Sequence, residues 1–263
     1  MKRTLESETI SRLSADLKEK FTQTGVYNES CPISMDRLRV VSFSYYTFDG
    51  SKKDDGEIVV FDVLSPFVEN VLSILKKREF PIAQAISLHH YGASDELSME
   101  DNNSSCFNSR MIEGSGSLSL HSYGMAVDIN PVQNPFLKID DSKGLVEVFP
   151  HEGTLYLNRH NLKPGMVEGI VDVFAGQGLS IWGGRWTTPV DYHHFQVPRG
   201  VAELLNVMDE EDGFEFYSRA LECPELISGI KSGSDLLELI EIYSGDRSRF
   251  FKEIPDLLKG FVG

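Results

Sequence analysis

Ser119-Leu-His121-Ser-Tyr123-Gly124-Met-Ala-Val-Asp128-Ile-Asn-Pro131 is the stretch on which the reading of this chain turns. It sets a histidine and a carboxylate on either side of a glycine. Gly124 lets the backbone bend, so that His121 returns toward Asp128 on the strand-like run Met125–Ile129. Farther on comes Asp191-Tyr-His193-His194-Phe195-Gln196. Imidazole and carboxylate are good metal ligands, and a catalytic metal site characteristically takes three protein ligands and leaves one position for water. His121, Asp128 and His194 form such a set, and Asp191 stands one turn before His194, where a general base belongs. Such pairs also arise by chance, and a histidine beside an aromatic, as His194 is beside Phe195, is commonly a hydrogen-bonded core residue. Spacing alone leaves both readings open.

The rest of the composition narrows the classes. The chain has 263 residues, 25 Lys+Arg against 40 Asp+Glu, a net charge of −15 and 41% hydrophobic residues. That balance supports a substantial core and excludes a largely disordered chain. The acidity argues against nucleic-acid binding, which needs clustered Lys and Arg. No apolar run approaches the roughly 20 residues a bilayer-spanning helix needs. Glu6 and Glu8 fall where the apolar centre of a signal peptide would lie, so the expectation is synthesis in the cytoplasm without a recognisable leader. Cys31, Cys106 and Cys223 lack CxxC spacing and read as reduced thiols, with a Cys31–Cys106 bridge as the alternative. No GxSxG elbow, P-loop or HExxH helix is present.

Periodicity predicts a helix over 5–24 through Ile10, Leu13, Leu17 and Phe21, stopped by Gly25. A β-hairpin follows, with Val41, Phe43 and Tyr45 alternating before a Gly- and Asp-rich turn and the run 57–63. Ser65-Pro66 reads as a cap and first turn of a helix burying Val68, Val71, Leu72 and Leu75. Residues 80–90 read as a central strand, 91–110 as a long irregular loop, and 164–178 as a helix through Val167, Ile170, Val171 and Phe174. Residues 179–197 read as two short strands. The sum is an α+β fold, an antiparallel sheet with flanking helices. Beyond residue 200 four amphipathic helices are expected, near 200–208, 213–222, 234–243 and 247–260, with 14 acidic against 6 basic residues over 201–263. The run Asp209–Asp212 lacks the spacing of a calcium loop and reads as a solvated turn. The division is therefore an N-terminal helix over 1–29, a main domain over 30–199 and an acidic helical extension over 200–263.

The order SxHxxGxAxD-I-N-P, then WGGxW, then DxxHFQ resembles the D-alanyl-D-alanine metallopeptidase family, which includes VanY-type carboxypeptidases, VanX-type dipeptidases and phage L-alanyl-D-glutamate endopeptidases. The resemblance takes in Cys31-Pro32, Tyr45 to Gly50, Phe80-Pro81-Ile82 and the run NNSSCFNSR, and spans roughly residues 30–198. It implies the fold shared by lysostaphin-type enzymes and the Hedgehog signalling domain. It also implies one zinc ion on His121, Asp128 and His194, with Asp191 as general base and Arg110 stabilising the oxyanion. Ser119 would help hold substrate; Tyr123, Asn108, Trp182 and Trp186 are further candidate contacts, with a core role equally open for Trp182. His193 stands where many relatives carry a bulky apolar residue, and strand alternation allows only one of the two histidines to reach the metal, for which His194 is preferred. His89, His90, His151 and His160 read as structural or surface residues. The implied activity is hydrolysis of peptidoglycan stem peptides, as carboxypeptidase or endopeptidase, with a non-catalytic zinc-containing binding module as the alternative. The implied place of action is the bacterial cell envelope, reached by non-Sec export or lysis. The extension has no counterpart in the family and is expected to pack against the sheet, with an address or a protein-docking surface as alternatives.

Overall fold

The computed structural model describes residues 9–140, 142–222, 230 and 234–260; Cys223 and the first residues of the expected 5–24 helix lie outside them. The mixture of helices and antiparallel strands is the expected α+β class, but the strands form three small sheets of three strands each. The first contains β1 (Ile10–Arg12), β2 (Leu38–Tyr46) and β3 (Lys52–Phe61), in that order. The β2–β3 hairpin is the expected one. β1 corrects the expected helix: Ile10 lies opposite Val41 at the edge of β2, and helix α1 (Ala15–Thr24) begins only after Ser14, whose hydroxyl accepts from Leu17 N. An Ile10–Leu13 spacing fits a strand running into a cap as well as it fits a helix, and the open edge of β2 decides between them. Gly25 ends α1 in the left-handed conformation at φ 82°, as read.

Helix α2 (Ser65–Lys77) lies on this sheet and buries Val68, Val71, Leu72 and Leu75. Each such side chain contributes about 1.5–3 kcal/mol when fully buried. Ser65 is inside the helix, one position later than read, with its hydroxyl donating to Asp62 O.

Residues 80–90 do not form the expected central strand. Ile82, Ala85 and Leu88 are buried, but Asn130 Oδ1 accepts from Ala83 N and Asn103 Oδ1 from Ile86 N. Side-chain amides thus replace most of a ladder, and only isolated bridges remain, at Pro81 and Gln84. The irregular stretch after it contains one short helix, α3 (Asp95–Glu100). The expected 164–178 helix is likewise broken: a 3-10 turn over Val167–Ile170 leads into α4 (Val171–Ala175), with Ile170 at φ −128° between them.

The second sheet has β9 (His194–Gln196) between β4 (Ala126–Asp128) and β7 (Ile181–Trp182). The third has β5 (Phe136–Asp140) between β6 (Leu145–Phe149) and β8 (Val190–Asp191). Residues 179–197 therefore give three strands rather than two, shared between two sheets. Phe174 stacks on Phe195 at 4.0 Å between ring centroids, and Trp182 lies roughly parallel beyond it, fixing the back of the second sheet.

The chain closes with helices α5 (Arg199–Val207), α6 (Glu210–Leu221), α7 (Ser234–Gly245) and α8 (Arg247–Gly260), close to the expected four. Val201, Leu204, Leu205, Phe216, Tyr217 and Phe250 are buried in the same core as the first sheet. Arg39 on β2 is completely buried and reaches Glu210 at 2.7 Å, while Arg37 donates to Met208 O and pairs with Asp62. Asp209 is the cap of α6, accepting from Asp212 N, and both carboxylates pair with Arg247.

Candidate metal centre and cavity

Three elements bring the predicted ligands together. His121 sits on a 3-10 turn, Leu120–Tyr123, capped by Ser119, whose hydroxyl accepts from His121 N. Gly124 ends that turn at φ 64°, and its carbonyl accepts from Phe61 N. A Cβ on Gly124 would stand 2.8 Å from Phe61 N, so both the left-handed φ and the close approach to β3 require glycine. Asp128 and His194 are direct cross-strand partners in the β4–β9 ladder, and on its other side Asp128 is bridged to Ser105.

The donors converge. His121 Nε2 is 3.1 Å from Asp128 Oδ2, His194 Nδ1 is 3.0 Å from Asp128 Oδ1, and the two inward nitrogens are 3.2 Å apart. All three residues are buried. Ligands held about 2.0–2.2 Å from a tetrahedral zinc stand roughly 3.3–3.5 Å from one another, so this triangle is close to the size a metal needs. The outward nitrogens support the same reading. His121 Nδ1 is 2.5 Å from the carbonyl of Cys106, which can only accept, and His194 Nε2 is 2.8 Å from Gln196 Oε1. A neutral imidazole carries one N–H, so each ring that donates outward turns a lone pair inward. Two lone pairs and a carboxylate facing one point make a cation site, and these residues can hold a metal ion.

The electrostatics follow from this crowding. Burial alone would raise the Asp128 carboxyl and lower the imidazoles. The charges of His121 and His193, with hydrogen bonds from His121 and His194, outweigh that and hold Asp128 well below the usual carboxylate range. His194 is raised, burial being overcome by its hydrogen bond to Asp128 and by the charges of Asp128 and Asp191. His193 is pushed up to about 9 against burial, chiefly by Asp191 and Asp128.

The convergent set takes His194, as preferred, and not His193, yet His193 also lines the cavity. It lies between β8 and β9, outside the alternation of a strand, and its backbone carbonyl accepts from Ile129 N. Its Nδ1 is 2.8 Å from Asn134 O, and its Nε2 lies 3.0 Å from Asp191 Oδ1 and 3.8 Å from Asp128 Oδ2. The Asp191–His193 approach is off the hydrogen-bonding direction, so Oδ1 of the buried Asp191 keeps no aligned donor among the described residues.

A cavity of about 600 Å³ opens over this cluster and is lined by His121, Asp128, Asp191, His193, His194 and Gln196 at its polar floor. Of the other predicted residues, Arg110, Ser119 and Trp186 line it. Arg110 is 38% exposed at the rim and is ion-paired through Nε with Asp95. Asn108, Tyr123 and Trp182 do not line the cavity, and the structure corrects their reading as substrate contacts. Asn108 is buried and donates to Asp95 Oδ1, bracing the partner of Arg110; Tyr123 belongs to the core; Trp182 donates from Nε1 to Tyr192 O behind the site. Cys31 and Cys106 are free thiols, not a disulfide.

The sequence reading missed one wall altogether. Phe136, Lys138, Ile139 and Phe149, on the β5–β6 hairpin, face the cavity, and Lys138 reaches Glu113 on the opposite loop at 3.0 Å. Its signal was present: the runs FLKID and LVEVF flank the turn residues Asp141-Ser142-Lys143-Gly144.

Residues 113–197, about a third of the chain, match the family model described as D-alanyl-D-alanine carboxypeptidase. The matched stretch holds His121, Asp128, Asp191 and His194, and Arg110 falls just before it. This likeness supports a peptidase. No curated protein and no solved structure matches the chain.

Proposed function

We propose that the protein is a zinc-dependent peptidase that hydrolyses the peptide stems of bacterial peptidoglycan at the cell envelope. The observation that carries the reading is the convergence of three acceptors, His121 Nε2, Asp128 and His194 Nδ1, beside a second buried carboxyl group, Asp191, on the floor of one cavity. A purely structural metal site has no use for Asp191 or for an open cavity over the donors.

His121, Asp128 and His194 would hold a zinc ion, which would supply Lewis acidity toward the scissile carbonyl and lower the pKa of water. Asp191 accepts the proton of the attacking water and returns it to the departing amine. Arg110, braced at Nε by Asp95, presents its terminal nitrogens to the developing oxyanion; removing such a stabilising group costs on the order of 100–1000-fold in rate. The hairpin β5–β6 and Trp186 give the substrate an apolar wall.

The test is mass spectrometry of defined muropeptides incubated with zinc-loaded wild type and with Asp191→Ala. Release of a terminal D-alanine, or cleavage between L-Ala and D-Glu, by wild type alone supports the reading and identifies the bond. Zinc binding without cleavage of any stem by wild type would overturn it in favour of a binding module.

A further inference from the structure

The three histidines at the floor of the cavity are not held alike. The outer nitrogen of His121 meets the carbonyl of Cys106, and that of His193 meets the carbonyl of Asn134. Both partners are backbone oxygens that can only accept, so Nδ1 of each ring keeps its proton. The outer nitrogen of His194 meets a side-chain amide instead, Gln196 Oε1 at 2.8 Å. An amide can turn over and present its NH2 group, a donor, to the same nitrogen.

We propose that Gln196 is the positioning residue that sets the metal affinity of this site, by deciding which nitrogen of His194 carries the proton. The inference rests on the zinc-site reading above. With Oε1 toward the ring, Nε2 keeps the proton and Nδ1 offers its lone pair at 3.0 Å from Asp128 and 3.2 Å from His121 Nε2. With the amide reversed, Nδ1 carries the proton, donates it to Asp128 and cannot bind a metal. Gln196 holds this place because the β9 alternation sets residues 194 and 196 on the same face of the strand, where both line the cavity. His194 is therefore the adjustable ligand of the three.

The substitutions separate this role from others. Gln196→Met keeps the length and removes both donor and acceptor. Gln196→Glu, when ionised, can only accept, and a carboxylate behind a ligating histidine raises its basicity. Zinc affinity is measured by competition with a chromophoric chelator on the full chain, alongside long-range ¹H–¹⁵N correlation of the zinc-loaded histidine rings. The expected result is binding weakened about 10–100-fold in Gln196→Met and restored to at least the wild-type level in Gln196→Glu. In wild type the ring of His194 should show a protonated Nε2.

Gln196→Met that binds zinc as wild type does, or a zinc-loaded wild type whose His194 carries its proton on Nδ1, overturns the inference while leaving the peptidase reading intact. A rise in KM for a stem peptide at unchanged zinc affinity also overturns it, since that marks a substrate contact. If wild type itself binds no zinc, both readings fall. Should Gln196→Met not fold, the ring correlation on wild type and the affinity of Gln196→Glu still decide.

Discussion

Asn134 does not line the cavity, yet several groups that shape it depend on its side chain. Its amide donates to the carbonyls of Ile129 and Gly165, and its Oδ1 accepts from Val167 N and Arg159. Its own carbonyl holds His193. Replacing it by leucine strands several buried groups at once, each costing about 1–3 kcal/mol when left unpaired. Asn134→Leu should therefore lose at least about 3 kcal/mol, read as a lower urea midpoint, and should also weaken zinc binding because the link to His193 shifts with it. At this scale the ligands were legible in the sequence and their supports were not. His121, Asp128, Asp191 and His194 lie in two short segments whose chemistry narrows the possibilities. Asn134, Asn108 and Asp95 work through contacts between residues far apart in the chain, and an asparagine in a polar stretch carries no mark of the carbonyl it will meet. Tyr123 was misplaced for the converse reason, since adjacency to a ligand in sequence does not say which face a side chain takes; for Trp182 the core alternative is the one that holds.

Among the elements, the 3-10 turn carrying His121 is the one with the least freedom. Its end at Gly124 is both left-handed and pressed against the backbone of β3. Gly124→Ala should cost about 2–4 kcal/mol from φ strain and overlap together. It should also depress zinc affinity more than it depresses the thermal stability of the metal-free protein, since the turn moves His121 away from a sheet that stays folded; calorimetry with and without zinc separates the two. Elements with an internal period were readable: the β2–β3 hairpin and α2 came out where alternation and the 3.6-residue stripe put them. Those settled by a distant partner were not. Ile10–Arg12 became a strand because β2 had an open edge, and residues 80–90 lost their ladder to the amides of Asn103 and Asn130. The β5–β6 hairpin has its own signal in the runs FLKID and LVEVF, but no ligand motif falls on it to mark it as part of the site.

Two arginines, Arg37 on the turn before β2 and Arg39 on β2, tie the first sheet to the closing helices. Arg37 and Arg39 point to the closing helices, where Met208 O and Glu210 meet them. Tyr217 donates to Gln177 O, Phe67 stacks on Phe214 and meets Tyr217 edge-on, and Arg199 donates to Leu118 O next to the His121 turn. Breaking one partner of a buried ion pair costs about 3–5 kcal/mol, less where the other partner is partly exposed as Glu210 is. Glu210→Ala should lower the melting temperature by several degrees while the muropeptide products stay the same. A chain ending at Pro198 should be destabilised far more, and if it still folds it should cut the same bond; a different cleavage position would show that the closing helices take part in selecting substrate. The four helices and their amphipathic stripes were legible from residue 200 onward. Their docking was not, because Arg39 looks like any exposed strand arginine until Glu210 arrives from across the chain.

One feature of the ladder bears on how such a site can change. Asp128 and His194 occupy facing rungs of β4 and β9, so the chain leaves the centre at one rung and returns to it at the next strand, after a long excursion that includes the β5–β6 hairpin. The ends of that excursion are anchored by backbone hydrogen bonds independent of what it contains. Its outer turn, beyond Asp140 and before Leu145, can thus be lengthened, shortened or exchanged at a small entropic cost without disturbing the distance between the two donors. The donors are held by the rungs, while the hairpin that walls the cavity hangs between them.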